Sequence, residues 1–135
     1  FYTALFANSK MITPASPSPD GAQSPLMVVF EIAGQRVQIL NGGPHYKLTP
    51  AFSLSVSCAD QDEVDRYWNA LTADGGKESQ CGWLVDRWGV SWQIVPDRLG
   101  ELLGDPDPDR AQKATEAMLK MTKLVIADLE AAANL

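Results

Sequence analysis

Apolar and polar positions recur along this chain with two periods. From 51 to 58, Phe52, Leu54, Val56 and Cys58 share one parity and Ser53, Ser55 and Ser57 the other. That two-residue alternation predicts a half-buried strand. Directly afterwards the period lengthens. Val64, Tyr67, Trp68 and Leu71 fall on one helical stripe. Asp60 stands at the N-cap position, and Glu63 is placed to complete a capping box. Gly75-Gly76 ends the helix.

The remaining elements follow from similar signals. Residues 1–6 read as the tail of a helix ending near Asn8, and 10–13 as a short strand. Residues 14–25 carry four prolines and form a loop. Residues 26–33 are β-rich, with Val28, Phe30 and Ile32 on one face. Gly34-Gln35 turns the chain and 36–41 returns as a hairpin partner. Asn41-Gly42-Gly43-Pro44 breaks that strand, and a loop runs through Pro50. Downstream, 80–85 and 90–95 are strands around an Asp86-Arg87-Trp88-Gly89 turn, and Pro96 stops the second. Asp107 and Pro108 open a final helix as N-cap and first helical residue. Its apolar stripe is Ala114, Ala117, Met118, Met121 and Val125.

An internal echo orders these pieces. Gly34-Gln35-Arg36-Val37-Gln38-Ile39-Leu40 matches Gly89-Val90-Ser91-Trp92-Gln93-Ile94-Val95, and Phe1 to Phe6 matches Tyr67 to Thr72. The pattern predicts an α+β protein of two short βαβββ-like halves, residues 1–50 and 51–104, followed by a helical tail at 105–135. The chain opens inside a helix, so the first strand of the first half is expected upstream of Phe1.

Composition narrows the function. The chain has 135 residues, 45% hydrophobic, enough for a real core. Its formal net charge is -6, and its basic residues form no patch, which argues against nucleic acid as a partner. No apolar run approaches the ~20 residues that span a bilayer. No leader is visible, and a cytoplasmic location is expected. Cys58 and Cys81 lack zinc-knuckle spacing and read as reduced core thiols.

Asn41-Gly42-Gly43-Pro44, together with the block from Gln80-Cys81-Gly82-Trp83 to Trp92-Gln93-Ile94-Val95-Pro96, resembles the PhnB-like branch of the vicinal-oxygen-chelate superfamily. This branch is often labelled a 3-demethylubiquinone methyltransferase domain, and its relatives include glyoxalase I and extradiol dioxygenases. The resemblance implies paired βαβββ modules forming a curved mixed sheet around a cavity, and a homodimer. A methyltransferase activity fits the residues poorly. Gly42-Gly43 leads into Pro44 rather than a helix, so the Gly-rich cofactor loop is missing.

Metal-dependent members of this superfamily hold their ion with His and Glu. The resemblance puts Gln38 and Gln93 at the two Glu positions, with Ala51 near a His position and the other His before Phe1. The ligand set is depleted, because amides bring no charge to offset desolvation of an ion. The expectation is therefore no metal and no assigned cofactor, with a divalent-metal enzyme or a drug-sequestering protein as the alternatives. The candidate cavity residues for a small-molecule ligand are Gln38, Asn41, His45, Cys81, Trp83 and Gln93. Each has a structural alternative. Gln38 and Gln93 could face solvent, and His45, the one histidine, could be an exposed loop residue. Cys81 could be a buried thiol. Trp83, with Trp88 and Trp92, could pack a core or a dimer interface.

Overall fold

The computed structural model describes residues 1–13, 21 and 25–134. The loop expected over 14–25 falls largely outside them. The chain divides into two compact units, Phe1–Lys47 and Leu48–Leu135.

In the first unit a short helix α1 (Tyr2–Leu5) precedes strands β1 (Lys10–Met11), β2 (Met27–Ile32) and β3 (Gln35–Leu40). The strands form an antiparallel sheet in that order. The Tyr2 ring stacks on Phe30, with centroids 6.3 Å apart. Phe6, Val29, Phe30 and Ile32 are buried. The hairpin turn is Ala33-Gly34 rather than Gly34-Gln35, because Ile32 pairs with Gln35. Both turn residues have positive φ, 48° and 81°. A two-residue hairpin favours that primed geometry because it matches strand twist. Gly34 adopts it freely, and Ala33 is held there by its N–H donating to Ser9 Oγ at 2.9 Å.

The second unit runs β4 (Leu54–Cys58), α2 (Gln61–Thr72), β5 (Lys77–Glu78), β6 (Trp83–Val85) and β7 (Ser91–Pro96). Its sheet order is β4-β7-β6-β5, with β4 parallel to β7 and the other pairs antiparallel. The buried stripe of α2 is Val64, Tyr67, Trp68 and Leu71, as its periodicity predicts. Asp60 Oδ1 accepts from Glu63 N at 2.9 Å. Glu63 Oε2 accepts from Ala59 N at 2.9 Å, one residue before the N-cap. The helix covers one sheet face, where Leu84, Trp92, Ile94 and Cys58 are buried. Trp68 Nε1 donates to Glu78 Oε1 at 2.8 Å and pins the short edge strand β5.

Three expectations need correction here, and one element is unforeseen. Phe52 lies outside β4 and is 67% exposed, so it does not share the inward face. Residues 80–82 are not strand. Cys81 and Gly82 carry φ of 57° and 82° in a turn leading into β6. Pro96 ends β7 as expected, and a helix the sequence pattern does not predict, α3 (Asp97–Leu103), starts at the next residue. The single final helix is two, α4 (Pro108–Met118) and α5 (Ile126–Ala133). The predicted Asp107 cap holds, with its side chain accepting from Asp109 N at 2.9 Å.

Leu99, Leu102, Ala114, Leu124, Leu129 and Ala133 form one core among α3, α4 and α5, and Val95 packs against it. A polar clasp fixes this cluster to α2. Gln61 Oε1 accepts from Ile126 N at 2.8 Å, while its Nε2 donates to Leu124 O at 3.2 Å. Lys123 Nζ donates to Asp65 at 2.6 Å. Lys123 first, and Gln61 second, hold the Asp65 carboxyl below the usual carboxylate range. The turn at 81–82 docks on the same cluster, Cys81 N donating to Met121 O at 2.8 Å and Gly82 N to Thr122 O at 2.7 Å.

Candidate functional site

Strand register decides which candidates meet. Gln93 lies opposite Trp83 on β6 and opposite Ser55 on β4. Paired side chains project from the same face, so these three form one row on the face turned away from α2. Gln93 Nε2 donates to Ser53 Oγ at 2.9 Å, which fixes the plane of the amide. Trp83 and Gln93 are half-buried, and Ser55 is exposed. One pleat away, Val95 pairs with Ser57, and the α3–α5 core closes that end. One pleat the other way, Val85 pairs with Ser91 on one side and with Lys77 on the other. The described strand residues of this face therefore present an indole, a pinned amide and serine hydroxyls, with Lys77 at the far edge.

Ser91 is only 3% exposed. Its Oγ is the one buried side-chain polar atom without a hydrogen-bond partner among the described residues. Such an orphan costs about 1–3 kcal/mol. The neighbouring turn is fully committed. Asp86 is buried, and its Oδ1 accepts from Trp88 N at 2.9 Å and Val90 N at 3.0 Å. Its Oδ2 accepts from Trp92 Nε1 at 3.0 Å. That bond holds Trp92 in the core beneath α2, on the opposite face from Gln93. Trp88 is 52% exposed, with the Arg87 guanidinium over its ring at 5.0 Å. Of the three tryptophans, Trp83 alone joins the row.

The other candidates lie elsewhere. Cys81 sits half-buried on the turn before β6. Cys58 is fully buried on the α2 side, and burial pushes its thiol up to about 11. Gln38, Asn41 and His45 belong to the first unit and are exposed. Gln38 lies opposite Val29. Asn41 Nδ2 donates to Pro25 O at 2.5 Å, a loop-closing role. The first unit has its own groove of about 170 Å³, lined by Phe1, Tyr2, Met11, Val28, Phe30 and Ile39 beside Thr3. It is almost wholly apolar.

Ser53, Ser55, Ser91 and Lys77 do not figure among the sequence candidates. The signal for the first two is the serine parity of β4, which marks the face but not its use.

The donor chemistry does not fit a tightly held divalent ion. Gln38 is exposed, Ala51 has no side-chain donor, and the Gln93 amide is engaged with Ser53. No group of three or more His, Cys, Asp or Glu able to hold a metal occurs among the described residues. No helix among them is long and apolar enough to cross a membrane.

Comparison with known proteins gives one family. A family model described as 3-demethylubiquinone-9 3-methyltransferase matches residues 1–95, ending one residue before β7 does. Among solved structures, the chain is similar to a PhnB protein of Bacillus cereus described as a candidate 3-demethylubiquinone-9 3-methyltransferase. Identity is 26% and the TM-score 0.62, over 70% of this chain and 84% of that one. A protein of Pseudomonas aeruginosa shares the fold at 20% identity and TM-score 0.50, over 69% of this chain and 82% of that one. No curated protein matches the chain.

Proposed function

Because the chain belongs to the 3-demethylubiquinone-9 3-methyltransferase family, of the PhnB-like kind, we propose that it binds a small molecule on the β4-β7-β6 face turned away from α2. The observation that carries this reading is the Trp83–Gln93–Ser55 row with its amide pinned by Ser53 at 2.9 Å. An indole face offers a stacking surface, and a preoriented amide fixes a ligand's direction at low entropic cost.

Methyl transfer is not part of the proposal. The βα junction that would receive a cofactor, after β4, is filled by its own carboxylates. Asp60 and Glu63 take the N–H groups of Glu63 and Ala59. A resident metal is not part of it either, since the available donors are neutral amides. We further propose that paired βαβββ modules build the full cavity and that the protein acts as a cytosolic homodimer. The β-α-β-β-β order of the second unit and the exposure of Tyr46, Leu48 and Phe52 support a second copy as a partner.

A thermal-shift screen of aromatic fragments tests the binding reading. Hits should stabilise the wild type and be lost in Trp83→Ala and Gln93→Leu, and titration with S-adenosylmethionine should give no heat. Hits that survive both substitutions, or a tight S-adenosylmethionine isotherm, would overturn it.

A further inference from the structure

We infer that this face selects neutral, planar ligands carrying a paired donor and acceptor, and discriminates against anions; the inference rests on the binding reading above and names its ligand class. The groups lining the row are an indole, an amide and hydroxyls. Among the described residues of this unit, no cationic side chain stands in that row or beside it on β4 or β7. Among the strands of this sheet, the cation in register with this face is Lys77, on edge strand β5 and one pleat away. Two strand spacings separate β5 from Gln93, about 10 Å before the pleat offset is added. Lys77 is exposed, so its charge is solvated and screened. The chain as a whole carries -6. An anion seated on the indole would lose hydration and meet no counter-charge from β4, β6 or β7.

The Gln93 amide offers the complementary chemistry. Its Nε2 already donates one hydrogen to Ser53. The second Nε2 hydrogen and the free lone pairs of Oε1 remain for a ligand. A donor and an acceptor held in one plane suit a carboxamide, lactam or enol-carbonyl edge. The α3–α5 core closes the face at Val95 and limits the ligand's length in that direction. That wall comes from residues beyond the span matched by the family model.

Naphthamide and naphthoate test this directly, being nearly isosteric and differing in charge. Both would be titrated into the full chain by calorimetry at physiological salt, with the Trp83 indole N–H resonance followed by NMR. Naphthamide should move that resonance and bind at least about tenfold tighter than naphthoate. Gln93→Leu should lower naphthamide affinity several-fold and leave naphthoate unchanged. Ser53→Ala, which frees the amide without altering the strand, should give an intermediate loss. Equal or tighter naphthoate binding that moves the same resonance would overturn the charge selection and leave the site standing. If neither compound moves the Trp83 resonance, the binding reading itself falls.

Discussion

Replacing Asp86 with asparagine isolates the bond that orients the β6–β7 hairpin. The carboxylate is 3% exposed and accepts from two turn amides and one indole. Asparagine keeps a carbonyl oxygen for Trp88 N and Val90 N. Its NH2 then faces the Trp92 N–H, donor against donor. Turning the amide over transfers the same conflict to the turn. Hydrogen bonds to a charged group contribute about 1.5–3 kcal/mol, and an unpaired buried donor costs about 1–3 kcal/mol. The amides at the half-exposed turn can recover water, so the indole dominates. The expected loss is about 2–4 kcal/mol. Urea unfolding followed by circular dichroism reads it as a lower midpoint at constant slope. In a Trp92→Phe background the indole donor is gone, so the penalty of Asp86→Asn should fall to about 1 kcal/mol. A variant within ~0.5 kcal/mol of wild type, or an equal penalty in both backgrounds, would refute the reasoning.

Three further outcomes follow from the same geometry. Ser91→Ala removes the orphaned hydroxyl and should raise stability by about 1 kcal/mol, read as a higher unfolding midpoint. Gly82→Ala should lose more than about 2 kcal/mol, because its φ is +82° and an added Cβ meets Ile94 O and Leu124 Cδ1 at 2.9 Å; proteolysis of residues 105–134 would report release of the docked helices. Cys58 has a folded pKa of about 11, raised from 9.0 by desolvation and then by Glu63. Its contribution is therefore fully present below pH 9 and lost as pH rises toward 11, at up to about 1.4 kcal/mol per pH unit. A Cys58→Ala chain should show a flatter stability profile over that window.

Sequence legibility tracks how local the determining physics is. Helix α2 is readable residue by residue because its cap, stripe and stop all lie within about four turns of helix. Helix α3 escapes a sequence reading because seven residues containing Gly100, directly after a proline, carry too little periodicity. The long C-terminal stripe conceals a break after Met118, where Lys120 N and Met121 N turn back to Ala117 and Met118 carbonyls. Cys81 reads as strand because its neighbours are apolar, but its backbone is set by docking of 81–82 on Met121 and Thr122, some forty residues away. The site is half legible. The echo marks Gln93, and the serine parity of β4 marks its face. Which partners they meet depends on the parallel β4–β7 register, a long-range pairing that no local pattern encodes. Ser91 carries no signal, since a serine in a strand does not announce that it is buried.

A ligand seated on the Trp83–Gln93–Ser55 row is the claim on which the functional reading stands. Chemical-shift mapping of the full chain with naphthamide measures this most directly. The predicted result is a set of shifts concentrated at Ser53, Ser55, Trp83 and Gln93, with the α2 face unmoved. Shifts confined to the first-unit groove around Phe1, Val28 and Ile39, or to the α2 side, would contradict it.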